Sequence, residues 1–231
     1  MSYLATFDID NTLIHGSTGH VQVLIAAIKE IYDLETGINV INHHGMTDQE
    51  IIAGILAAHH VDPKIVSAGL MRCMDCMQRQ YARTVKAEPI RMLEGVADLL
   101  NALDHRGFLL GLVTGNLEQI ARAKLEKIGI SHFFKFGGFG SDHISRAKLV
   151  QIAINRAQKQ FGYDAGRPAF HFGDAPQDMQ AARCAGVVPI GVATGVFSAD
   201  ELERAGACKV FPNLKDTDQI SNTLLNSSGM I

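Results

Sequence analysis

Four short stretches hold the residues whose types and spacing can do chemistry. Asp8 and Asp10 stand two apart in Phe7-Asp8-Ile9-Asp10-Asn11-Thr12-Leu13, at the end of an apolar run. A second apolar run ends in Thr114-Gly115-Asn116, a hydroxyl followed by a glycine and an amide. Ser145-Arg146-Ala147-Lys148 opens a helical stretch with two cations. Gly173-Asp174-Ala175-Pro176-Gln177-Asp178 follows a further apolar run with a second pair of acids. Paired carboxylates at a strand end can act as nucleophile and acid–base group, or as ligands for a hard metal ion. A hydroxyl beside the free N–H groups of a helix start can hold an anion. A cation nearby can neutralise a phosphate or a carboxylate. Each stretch alone also has an ordinary explanation: solvated acids in a turn, an Asn cap, a solvated helix start, or an acid favouring a helix dipole. The joint order of acid pair, hydroxyl, cation and acid pair is far more specific. Each member falls where an α/β sheet places a site, beyond the carboxyl ends of its strands.

The elements that must position these residues follow from the apolar pattern. Runs at 3–9, 108–113, 169–172 and 187–193, with weaker ones near 133–136 and 209–211, lack clean alternation. Such runs suit strands buried on both faces of a parallel sheet. Helical stretches lie between them. Asn116 can cap a helix that runs through Lys127 and stops before Gly129, and Ser198-Ala-Asp-Glu201 reads as a capping box. Gly107, Gly162, Gly186 and Gly206 each close an amphipathic stretch. Strand–helix–strand alternation predicts an α/β layered fold with right-handed crossovers.

One interval breaks that rhythm. The chain runs about a hundred residues from Asp10 to Thr114, where a crossover needs roughly a dozen. A helix at 93–103 takes up part of this, and the excess at 16–89 is expected to be an inserted helical cap. Val21, Leu24, Ile25, Ile28 and Ile31 recur at helical spacing, Thr47-Asp-Gln-Glu50 is another capping box, and Asp62-Pro63 starts a third helix towards Val85. The expected division is a core of 1–15 and 90–231 with a cap of 16–89.

Composition narrows the class. With 47% hydrophobic residues the chain is not disordered. A net charge of −3 without a basic run argues against nucleic acid or an anionic membrane as partner. Nothing approaches the roughly 18–20 apolar residues of a membrane span. Met1–Asp10 lacks the basic region of a signal peptide. Four cysteines are too few for a disulfide scaffold and point to a reducing cytoplasm.

With those motifs in order, the chain resembles the haloacid dehalogenase superfamily. FDIDNTL is similar to its first motif, LVTGN to the second, and GDAPQD to the fourth. The resemblance covers the whole chain and is strongest to phosphoglycolate-phosphatase-like and β-phosphoglucomutase-like members. It implies a Rossmann-like three-layer core with a mostly parallel sheet and an all-helical cap. It also implies a Mg²⁺-dependent phosphatase working through an aspartyl phosphate, or, as the alternative, a phosphomutase. Asp8 is the implied nucleophile and Asp10 the acid–base group. Thr114 is implied to touch the phosphoryl group, with Gly115, Asn116, Thr12 and His15 on the substrate side. Asp8, Asp10 (through its carbonyl), Asp174 and Asp178 are the implied metal site. The third motif's usual Lys-Pro pair is absent, and Arg146 and Lys148 are both candidates for its cation, with Arg146 favoured. The implied partner is a small phosphorylated metabolite, bound by a monomer or homodimer.

Other features read as ordinary. Cys73 and Cys76 form a CxxC inside a helical pattern and suit core packing better than zinc. His43-His44 and His59-His60 read as solvated pairs, although similar caps select substrate with a loop near His43. Gly16 sits where core and cap would hinge.

Overall fold

The computed structural model describes residues 3–226, so Met1 and Ser2 of the N-terminal stretch lie outside it. In chain order the first elements are β1 (Leu4–Phe7), β2 (Ile14–His15), α1 (Gly19–Tyr32), α2 (Asp48–Ala58) and α3 (Pro63–Thr84). Next come β3 (Arg91–Met92), α4 (Val96–His105), β4 (Leu109–Thr114), α5 (Glu118–Lys127) and β5 (Phe136–Phe139). The chain continues through α6 (Arg146–Phe161), β6 (Ala169–Gly173), α7 (Pro176–Cys184), β7 (Val188–Val192), α8 (Ala199–Arg204), β8 (Lys209–Phe211) and α9 (Thr217–Leu225).

Six strands form one sheet in the order β5-β4-β1-β6-β7-β8, and every pairing is parallel. Alternation along each strand divides its side chains between two apolar layers. Ala5, Phe7, Leu110, Leu112, Phe170 and Phe172 join Leu99, Leu103, Leu125 and Leu224 on one face. Leu4, Val113 and Phe136 join Leu149, Val150, Ala153 and Ala182 of α6 and α7 on the other. This is the expected three-layer α/β, Rossmann-like arrangement. β1 lies between β4 and β6, so Phe7 pairs with Leu112 on one side and Phe172 on the other. The connections from β1 and β4 build outward one way and those from β6 and β7 the other. Asp8 follows directly at this reversal of strand order, where open α/β sheets form their crevice.

Helices α1–α3 occupy the long interval, as the spacing predicts. Val23, Leu24, Ala27 and Ile28 of α1 and Cys73, Met77 and Tyr81 of α3 share one buried cluster, and α1 packs chiefly on α3. Thr47 caps α2 with a complete capping box, and Asp62 with Pro63 starts α3. The interval leaves and rejoins the sheet side by side, because β2 and β3 pair antiparallel with Ile14 opposite Met92. Gly16 follows at φ 90°, and a Cβ there would lie 2.6 Å from the Pro89 carbonyl oxygen. Only glycine meets both conditions without strain.

Two expected elements shift. The weak strand expected near 133–136 forms at Phe136–Phe139, because Ser131–Phe133 makes a single helical turn first. The helix expected at 93–103 runs Val96–His105.

Phe7 is fully buried and stacks on Phe172 with centroids 4.6 Å apart, directly beneath Asp8. Phe7→Ala is expected to cost about 3–5 kcal/mol of stability. Urea unfolding, read as a drop in midpoint at unchanged slope, checks this.

Candidate active site

The tip of β1 makes a tight turn. Thr12, Leu13 and Ile14 all donate their N–H to the Ile9 carbonyl (3.3, 2.9 and 3.1 Å), and Asn11 N donates to Ile14 O at 2.8 Å. Asn11 adopts φ 60°, a left-handed conformation that asparagine tolerates. Thr194 Oγ1 holds the turn by donating to Asn11 O at 2.5 Å. Asp8 N donates to Phe172 O at 2.9 Å and extends the β1–β6 ladder by one step. The turn sends the carboxylates of Asp8 and Asp10 in different directions.

Asp8 faces β6. Its carboxylate, with those of Asp174 and Asp178, forms a buried cluster whose oxygens lie within 4.8 Å of one another. Arg146 answers this charge: its guanidinium donates to Asp178 Oδ1 at 2.5 Å and Asp8 Oδ1 at 3.3 Å. Asp178 Oδ2 also accepts from Ala175 N at 3.1 Å at the start of α7. Thr12 Oγ1 donates to Asp174 Oδ1 at 3.3 Å from behind the site. Burial and the neighbouring Asp178 push Asp8 up to about 6. Burial, Asp8 and Asp178 push Asp174 up to about 8. Burial also opposes charge on Asp178, but the Arg146 ion pair and His171 outweigh it and hold that carboxyl below its ordinary value. One guanidinium therefore does not balance three acids. The donor set fits a hard divalent cation such as Mg²⁺, with carboxylate oxygens only and no imidazole or thiolate.

Asp10 faces the opposite way. Both of its oxygens accept from Lys124 Nζ (2.9 and 2.7 Å), and Oδ2 also accepts from Asn116 Nδ2 at 2.8 Å. Its carboxylate is not part of the three-acid cluster, so its expected metal role rests on the carbonyl alone. Burial raises its pKa, but Lys124 and His20 outweigh burial and keep it below the usual range.

Thr114 ends β4 and is fully buried. Its oxygen accepts from Asn116 N at 3.3 Å and Asn116 Nδ2 at 2.7 Å, which leaves its hydrogen to donate elsewhere. Asn116 does not cap α5 as expected. Leu117 holds that position, because the amide of Asn116 is committed to Asp10 and Thr114.

A cavity of about 280 Å³ opens over these groups. Asp8, Asp10, His15, Gly115, Asn116, Arg146, Asp174 and Asp178 line it, while Thr12 and Thr114 sit behind them. Lys148 does not reach it: it is exposed and donates to Gln151 Oε1 at 3.1 Å. Two residues along a helix lie about 200° apart, so only one of Arg146 and Lys148 can face inward. The inserted helices supply the facing wall with His20, Val21, Leu24 and Ile51. His43 and His44 were expected to be solvated. They stack at 4.7 Å and line the cavity, while His59 and His60 are exposed as expected. Cys73 and Cys76 are buried and free, and burial pushes the Cys73 thiol up to about 12, as suits core packing.

Three site residues were not foreseen: Lys124, His20 and Asp48. The available signal for Lys124 was its place among Ile120, Ala121 and Leu125, the buried face of α5.

The fold and the site together define an α/β protein with a buried acidic cluster and a guanidinium at the carboxyl ends of its parallel strands. Residues 5–192 match the haloacid dehalogenase-like hydrolase family, and the chain belongs to it. The probable phosphatase IndB of Dickeya dadantii is 25% identical over 99% of this chain and 97% of its own. A phosphoglycolate phosphatase of Rhodospirillum rubrum is 29% identical over 89% of this chain and 85% of its own. The structure of CbbY from Rhodobacter sphaeroides in complex with phosphate has the same fold, with TM-score 0.72, 18% identity, and coverage of 94% of this chain and 96% of that one.

Asp8 and Asp174 hold protons in the folded, metal-free protein at pH values where the unfolded chain has lost them. Stability therefore falls as pH rises from their ordinary value of 3.8 through about 6 and about 8. A divalent cation that takes the place of those protons restores it. Thermal melts in EDTA are expected to drop between about pH 5 and 8, and the gain in Tm on adding Mg²⁺ is expected to grow over the same interval. A gain independent of pH would contradict this assignment.

Proposed function

We propose that this hydrolase is a Mg²⁺-dependent phosphatase that cleaves a small phosphomonoester, of the phosphoglycolate or sugar-phosphate type, through an aspartyl phosphate. The observation that carries the reading is the division of labour within one turn. Asp8 sits in the three-acid cluster beside Arg146, and Asp10, two residues on, is turned away into a separate cage. Asp8 thus lies among the acids that would hold a cation, while Asp10 faces the same cavity apart from them, free for a different task. The named relatives that are phosphatases support the same class.

In this reading Asp8 attacks phosphorus, and Asp10 gives a proton to the departing alcohol. Asp10 then takes a proton from the water that attacks the aspartyl phosphate and frees Asp8. Arg146 offsets the charge gathered at the phosphoryl group, and Thr114 and the N–H groups at Gly115 and Asn116 orient its oxygens. Asp8, Asp174 and Asp178, with the Asp10 carbonyl, would hold Mg²⁺, which supplies further charge neutralisation. Residues 16–89 would act as a cap over a core of 1–15 and 90–231. The cavity of about 280 Å³ lies at the small end of ligand pockets, which suits a compact metabolite. A cytoplasmic setting belongs to the proposal and is supported by four free cysteines. Among the described residues no helix is long and apolar enough to cross a membrane.

Phosphate release from a panel of small phosphomonoesters tests the reading. EDTA is expected to abolish release and Mg²⁺ to restore it, and Asp8→Asn is expected to lower kcat by roughly 10³-fold or more. Release that survives Asp8→Asn would sink the reading. Transfer to a sugar hydroxyl in place of release would turn it towards a mutase.

A further inference from the structure

The cavity over the strand tips is unevenly charged. Asp8, Asp10, Asp48, Asp174 and Asp178 all line it, and among the described residues Arg146 is the one Lys or Arg that does. Arg146 is already engaged. It donates to Asp8 and Asp178, and its Nε donates to Gly45 O at 3.2 Å. Lys124 adds one more positive charge behind Asp10. A divalent cation in the acid cluster still leaves the sum negative, and the dianionic phosphoryl group of a monoester makes it more so.

The rest of the wall is of another kind. Val21 and Leu24 of α1 and Ile51 of α2 line it, with Ile38 and Met46 from the segment between those helices. Phe197 enters from the loop after β7. The loop that carries Met46 is fastened to the core, because Gln177 Nε2 donates to His44 O at 3.0 Å beside the Arg146 contact at Gly45. The aliphatic wall is therefore held in place. The polar groups that accompany it include the imidazoles of His15, His43 and His44. Burial and the neighbouring His44 draw His43 below its ordinary value, so its ring offers hydrogen bonds at neutral pH and no fixed charge.

A leaving group in this cavity thus meets aliphatic surface and imidazoles, and no lining cation beyond Arg146 among the described residues. A second carboxylate or phosphate on the substrate would be desolvated there without a partner, inside a negative field. Such a site selects by exclusion as much as by attraction. We infer that it takes phosphomonoesters of uncharged alcohols with an apolar face, and rejects those whose alcohol bears a second anionic group. The inference rests on the phosphatase reading and narrows it. Neutral sugar-like or alkyl alcohols fit, and the carboxylate of phosphoglycolate does not. The same charge count stands against a doubly phosphorylated sugar.

Phosphoglycolate and its amide form a matched pair, a carboxylate against a neutral group of the same size. With Mg²⁺ present, kcat/KM is expected to favour the amide by roughly 10²-fold. Isobutyl phosphate is also expected to be cleaved better than phosphoglycolate. Val196 lines the same cavity and is 64% exposed, so a longer side chain there leaves the core undisturbed. Val196→Lys is expected to shift the ratio towards phosphoglycolate by roughly tenfold. Val196→Gln, which is longer but uncharged, is expected to leave the ratio unchanged. Comparing ratios between variants cancels the intrinsic reactivity of the two leaving groups. Ile38→Lys, at another partly exposed lining position, carries the test if Val196→Lys fails to fold. The rise in Tm of Asp8→Asn with Mg²⁺ and each compound gives the order of binding without turnover, and the amide is expected to act at the lower concentration. A preference for the amide that is absent or reversed, in kcat/KM or in binding, would overturn the inference. If the amide is preferred in binding but no compound is cleaved in an Asp8-dependent way, the phosphatase reading falls and the exclusion of a second anion stands. If none of the three is bound or cleaved, both fall.

Discussion

Four carboxylates crowd the tips of two neighbouring strands, and the rest of the structure is arranged around keeping them there. Asp8 and Asp10 follow β1, and Asp174 and Asp178 follow β6, its direct partner in the sheet. Three of these acids converge on one buried point with a single guanidinium, so Asp8 and Asp174 are pushed upward and the cluster favours a divalent cation. Asp10 escapes the crowd only because the turn at Asn11 and Thr12 aims it at a second cation, Lys124. Two residues of sequence thus separate a carboxyl pushed above its ordinary value from one drawn below it. Sequence proximity brings both to one cavity, and the turn between them gives them opposite environments.

That separation depends on the sheet order. Parallel pairing of β1 with β4 and β6 brings Thr114 to one side of Asp8 and Asp174 to the other. The insertion is then fastened to the core loops by polar contacts at the N-terminus of α2. Thr47 Oγ1 accepts from Glu50 N within its capping box and donates its own hydrogen to Ile144 O at 2.9 Å. Asp48 N donates to Gly115 O at 2.9 Å, and Gln49 Nε2 donates to Gly140 O at 2.6 Å. One capping motif therefore starts a helix and seats it beside the site. A side chain at position 115 would collide with Met46 O, 2.6 Å from where its Cβ would stand, so glycine is required for this approach.

Much of this was legible in the sequence for identifiable reasons. The strand-tip motifs at Asp8, Thr114 and Asp174 could be placed because apolar runs announce buried parallel strands. The capping boxes at Thr47 and Ser198 and the Asp62-Pro63 start were readable because they are local interactions. The misses were long-range. Asn116 looks like a cap until Asp10, distant in sequence, claims its amide. Arg146 and Lys148 differ only in which way a helix turn points them, and that is decided by how α6 packs on β4 and β5. β5 is obscured by Gly137 and Gly138, which dilute its apolar signal but give room for Leu149 and Phe139. Lys124 drew no expectation from the sequence, although its phase on α5 matches Ile120 and Leu125.

Helix α5 is the element where these constraints meet. Leu117, the residue before its first turn, donates to Asp48 of the insertion, and its middle presents Lys124 to Asp10 and His20. At its end Lys127 donates to Val85 O and Lys86 O, at 2.9 and 2.7 Å, where the insertion returns towards the core. The insertion thus touches α5 at three heights. A displacement of α1 and α2 that withdraws His20 removes one of three acceptors from a buried ammonium. Lys124 must then seek another partner, and the nearest groups are the ones that hold Asp10 and Asn116 in place. A buried cation shared between two parts of the chain is a costly way to fill a helix face.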